Sequence, residues 1–73
     1  MVENLAIPSY EIRVRGVLRG SLLHAFPMLT ADREGANTVL SGKLADQAAL
    51  YGVLTQIESL GLELLAVQQV GAN

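Results

Sequence analysis

From Asp46 to Val70 the chain reads DQAALYGVLTQIESLGLELLAVQQV, and its apolar spacing constrains the fold more than any other segment. Ala49, Leu50, Val53, Leu54, Ile57 and Leu60 recur every three or four residues, which gathers them on one face of a helix. Asp46 has the side chain to accept from the free N–H groups of the first turn, and Gly61 stands where a helix ends in a left-handed residue. Leu62 to Val70 then reads as a strand. A one-sided helix next to a strand needs a sheet to cover.

Size limits how such a fold is held together. A single domain of 73 residues buries only about 60% of the surface its unfolded chain exposes. The sequence has no cysteine, so neither disulfides nor a thiolate metal cluster support it, and the lone His24 makes no zinc site without several carboxylates. No metal or other cofactor is expected. Association between copies is the remaining support, and a composition 51% hydrophobic and 16% charged suits it.

Charge narrows the partners. A formal net charge of −2 and a pI near 5.1 disfavour general attraction to nucleic acid or to anionic membrane. Charged or polar residues interrupt every apolar run well short of the ~20 residues of a spanning helix. The opening MVENLAIPSY has neither a basic leader nor a long apolar segment, so no signal peptide is expected and a cytoplasmic location is the default.

Met1 to Ser9 reads as a flexible arm, residues 10–70 as the folded domain, and Gly71-Ala72-Asn73 as a disordered tail. Tyr10 to Leu18 alternates, with Tyr10, Ile12, Val14, Gly16 and Leu18 on one face and Glu11, Arg13, Arg15 and Val17 on the other. Arg19-Gly20-Ser21 leads into a short helix supplied by Leu22, Leu23, Ala25 and Phe26 and stopped by Pro27. Met28 to Arg33 and Asn37 to Lys43 form a hairpin about Glu34-Gly35-Ala36.

The order strand, helix, strand, strand, helix, strand predicts an α+β fold of the ferredoxin-like, split βαβ type: a four-stranded antiparallel sheet with two helices on one face. Tyr10, Ile12 and Val14 meet the long helix, while Arg13 and Arg15 lie on the uncovered face. Leu64-Leu65-Ala66-Val67 offers apolar groups to both faces. Leu65 and Val67 are expected beside the arginines, where a second copy would cover them.

Taken together, YEIRVRG, TVLSGKLADQAALYGVL and IESLGLELLAVQQV resemble a family of small uncharacterised bacterial proteins. The resemblance spans Tyr10 to Val70. It implies a single intact module and carries no activity or catalytic residue.

Few residues suggest chemistry. Ser21, His24 and Asp46 have the types of a nucleophile, base and orienter, but two helix caps and a surface imidazole account for them equally. His24, the chain's single imidazole, is of the residue type that suits a general base in a pocket between subunits. Arg13 and Arg15 form a guanidinium pair suited to an anionic ligand, unless Glu63, Asp32 or Glu11 neutralises them. The turn Gly16 to Ser21 lacks the lysine of a phosphate loop. With only Tyr10, Phe26 and Tyr51 as aromatics, the sheet has no base-stacking platform. Tyr51 sits at the edge of the helix stripe, as interface residue or as rim packing.

The expectation is a homo-oligomer, a dimer or larger, formed by burying open sheet faces or pairing strand edges, with a structural or regulatory role and no catalysis. Tyr51, Leu65 and Val67 are its candidate interface residues. One alternative is a sensor of small anions using Arg13 and Arg15 at the subunit boundary; another is a cofactor-independent enzyme using His24. An unknown protein partner is also compatible with these residues.

Overall fold

The alternation around Ile12 becomes a strand, β1 (Ser9–Arg15), in the computed structural model, which describes residues 7–70. Tyr10, Ile12 and Val14 are buried while their neighbours are half-buried or exposed. The chain then makes a 3-10 turn (Gly20–His24) and continues through β2 (Thr30–Glu34), β3 (Asn37–Lys43), helix α1 (Gln47–Ser59) and β4 (Leu64–Val70). The sheet order is β2-β3-β1-β4, so β2 and β4 are its edges. All three pairings are antiparallel. The expected arm and tail lie largely or wholly outside the described residues. Ser9 already belongs to β1, where it pairs with Lys43 and Val70.

The expected ferredoxin-like arrangement with two helices on one face does not form. Among the described residues α1 is the single α-helix, and the segment read as a first helix is a five-residue 3-10 turn. Five residues before Pro27 close too few i to i−4 hydrogen bonds to offset helix nucleation. The Leu22 N–H instead bonds Arg19 O at 3.1 Å and the Ala25 N–H bonds Leu22 O at 3.3 Å. Ser21 caps nothing there: the preceding Arg19 is extended and no side chain caps the turn. Phe26, fully buried just beyond, anchors the segment to the core.

Helix α1 forms as its spacing indicates. Asp46 Oδ1 accepts from the Ala49 N–H at 2.8 Å, and Gly61, at φ +77°, ends the helix in the left-handed region. Val53 and Ile57 are its buried residues. They pack with Tyr10, Ile12 and Val14 of β1, Leu40 of β3, and Leu18, Phe26 and Leu44 from the connections. The β2–β3 loop is two residues, Gly35-Ala36, between the pair Glu34↔Asn37. Gly35 has φ +60°, at the position where a II′ hairpin takes glycine.

A buried hydroxyl locks the first connection to the sheet. Thr38 on β3 is 3% exposed. Its Oγ1 donates to Gly16 O at 2.8 Å and accepts from the Leu18 N–H at 3.2 Å. The Gly16 N–H bonds Asn37 Oδ1 at 3.3 Å alongside. These bonds satisfy backbone groups that leave the β1 ladder, so Leu18 can be buried beyond the strand's end.

Candidate functional site

Register decides which residues share a face, because antiparallel partners project to the same side of a sheet. Arg13 pairs with Val39 and Ala66, and Arg15 with Asn37. That face also carries Glu11, Asp32 and Glu34. The two arginines do not converge. Arg13 Nε reaches diagonally over β3 to donate to Glu34 Oε1 at 2.7 Å, passing Asp32, which lies nearer across Val39. Arg15 instead grips Glu63 with Nε to Oε1 at 2.8 Å and Nη2 to Oε2 at 3.5 Å. The hydrogen bond to Arg13 holds the Glu34 carboxyl below the usual carboxylate range and raises Arg13 in turn. Each guanidinium thus has its own carboxylate, and an incoming anion would have to displace one.

Glu63 is a partner the sequence suggested. Glu34 was missed, although a two-residue hairpin loop at Gly35-Ala36 would have brought it level with Asn37 and within two strands of Arg13.

Val67 is placed differently from the sequence expectation. It pairs with Ile12, on the face that α1 covers, and so lies opposite to Arg13 rather than beside it. The cause is an irregularity in the β1–β4 ladder: Arg13 pairs with Ala66 but Val14 with Leu64, leaving Leu65 as the extra residue of a bulge. A shift of one residue reverses the assignment of faces along a strand. The open face is therefore mostly polar; of the exposed large apolar side chains, Tyr51, Leu60, Leu64 and Val67 lie on or beside α1 and β4, while Ile7 and Met28 lie elsewhere.

Between α1 and the start of β4 runs a groove of about 440 Å³, lined by Tyr51, Leu54, Thr55, Ile57, Glu58, Leu62 and Leu64. Tyr51 is 59% exposed, Leu64 42% and Val67 39%. Among the groove residues, neither Leu62 nor Leu64 is a candidate interface residue from sequence, although Leu64 stands in the two-sided run. Their signal was the two-sided apolar run that follows Gly61, whose faces the bulge rearranges. Beside the groove, β4 presents the sequence LLAVQQV, seven residues without a charge, on an edge of the sheet. The opposite edge, β2, is TADRE.

Backbone groups along β4 divide by position. The Arg15 N–H bonds Glu63 O at 2.9 Å, so the alternate β1 residues Arg13, Glu11 and Ser9 also turn their backbone groups toward β4. Their partners Ala66, Gln68 and Val70 face inward. Val67 and Gln69 direct their N–H and C=O groups out of the sheet.

The residues of the catalytic alternative lie apart from this groove. Ser21 and His24 are exposed on the 3-10 turn, and Asp46 is engaged as the cap of α1. His24 does not line the groove. Among the described residues no three His, Cys, Asp or Glu side chains cluster in a way that could hold a metal ion. No described helix is long and apolar enough to cross a membrane.

The model of a family described as Domain of unknown function (DUF8691) matches residues 9–68, from the first residue of β1 into β4. No curated protein matches the chain, and no solved structure does.

Proposed function

We propose that this chain, which belongs to the DUF8691 family of domains of unknown function, is a homo-oligomerising interaction module with a structural or regulatory role and no chemistry of its own. The observation that carries the proposal is the uncharged, exposed β4 edge beside an apolar groove. Soluble proteins ordinarily guard an edge strand with charges, proline or a cover, because its free N–H and C=O groups template pairing with another chain. Edge β2 is guarded in this way by Asp32, Arg33 and Glu34. Edge β4 carries no such charge, and Tyr51, Leu64 and Val67 add exposed apolar surface along it. In a chain of 73 residues, covering that surface adds to a small core in the way a second core element would.

Thermal melting at increasing protein concentration tests this. Only an assembling chain is stabilised by mass action, so Tm should climb steadily over about a hundredfold rise in concentration. A Tm that stays fixed over that range would contradict the proposal.

A further inference from the structure

We infer that the partner is a second copy of this chain, joined β4 to β4 in antiparallel register with Val67 on the two-fold axis, so that the two sheets become one of eight strands. The inference rests on the assembly proposed above and adds its geometry.

Three observations select this arrangement. First, the outward backbone groups belong to Val67 and Gln69, and an antiparallel pair joins residues whose groups face each other. Second, of the registers centred on an outward residue, pairing Val67 with Val67 brings the whole of Leu64–Val70 alongside the other copy, with the bulge at Leu65 falling opposite Gln69. Pairing Val67 with Gln69 would instead put Gln68 on the axis and leave Leu64 and Leu65 unpaired. Third, β4 carries no charge, so a two-fold axis brings no like charges together along it. On β2 the same operation would set like charges together at close range, Asp32 against its own copy or, one residue on, Arg33 against its own copy with Asp32 against Glu34. A contact between like edges also closes on itself, giving a dimer rather than a growing fibre.

The axis stands perpendicular to the sheet, so both α1 helices lie on the same side of the joined sheet. Val67 shares that side with Ile12, and the grooves holding Tyr51 and Leu64 flank the seam. Both arginine–glutamate pairs remain clear of it: Arg13–Glu34 lies on the other face, and Arg15–Glu63 lies before β4 begins.

A cysteine scan reads the register directly, since the sequence has no cysteine. On the axis, directly paired Cα atoms lie about 5.5 Å apart, within disulfide reach. In a glutathione redox buffer Val67→Cys should accumulate as a disulfide-linked dimer, and Gln68→Cys, which then faces Ala66 of the other copy, should remain mostly reduced. Cross-linking of Gln68→Cys in preference to Val67→Cys would overturn the register. A concentration-dependent Tm with neither variant cross-linked would overturn β4 pairing while leaving assembly standing. A concentration-independent Tm with no cross-link would overturn both.

Discussion

Val67 and Ile12 are direct partners in the β1–β4 ladder and project to the same face, yet Ile12 is 0% exposed and Val67 39%. One step across the sheet separates a core residue from a surface one. Ile12 has β3 on its other side and α1 above it, whereas Val67 has solvent on its outer side. The same contrast runs along the strands, since β1 alternates between buried and more open positions while no residue of β4 is fully buried. Among the described residues, the fold completes its core on one side of Ile12 and leaves exposed apolar groups and outward-turned backbone groups on the other.

The Thr38 hydroxyl should be the most costly polar group to remove. Thr38→Val keeps the shape but strands the Leu18 N–H and the Gly16 carbonyl beneath Leu18, a loss of about 1–3 kcal/mol. Thr38→Ser retains both hydrogen bonds and should lose less. Urea denaturation of the two variants, read at a fixed protein concentration, separates hydrogen bonding from packing.

Asp46 sets the start of α1 through its bond to the Ala49 N–H at 2.8 Å. Asp46→Ala should cost about 1 kcal/mol, and Asp46→Asn, which keeps an acceptor oxygen, should retain most of that stability. Denaturant midpoints of the two variants provide the check.

The acid dependence of stability should include a contribution from Glu34. Its hydrogen bond from Arg13 lowers its folded pKa. The stabilisation is therefore fully present above the unfolded value, about 4.3 for glutamate, and fades as pH falls through the lower folded one. The raised Arg13 is the other side of the same contact and stays protonated throughout that acid window. Glu34→Gln should flatten the stability profile below the ordinary glutamate range and leave its slope near neutrality unchanged. Both side chains are substantially exposed, so added salt should shrink the difference between variant and parent.

Local signals in the chain were clear where neighbouring residues decide the structure. Asp46, the stripe through Val53 and Ile57, and Gly61 fix α1 within one segment, and the alternation at Tyr10, Ile12 and Val14 fixes β1. The 3-10 turn reads from sequence as a short helix supplied by Leu22, Leu23, Ala25 and Phe26 and stopped by Pro27. Its geometry is settled instead by its short length before Pro27 and by Phe26 entering the core. The faces of β4 were misread because a bulge at Leu65 depends on pairing with β1, which no pattern within Leu64–Val70 reveals. Likewise, the choice of Glu34 for Arg13 depends on the hairpin register and on the order of strands. Of the residues named from sequence, Tyr51 lines the groove, Val67 is exposed on the β4 edge and Leu65 lies in the bulge; that β4 is an edge follows from the strand order, which no local pattern reveals.

The most direct test is the light-scattering mass of the parent chain and of Val67→Lys, measured together across a dilution series. In a single chain the lysine ammonium reaches water from this exposed edge, whereas in a paired one two ammonium groups meet on the axis. Pairing through β4 predicts a parent mass near twice 7.8 kDa that falls only on strong dilution. It predicts a single-chain mass for Val67→Lys at every concentration, with a cooperative melt showing that the variant is folded. A parent chain of single mass throughout, or a Val67→Lys variant as dimeric as its parent, would contradict it.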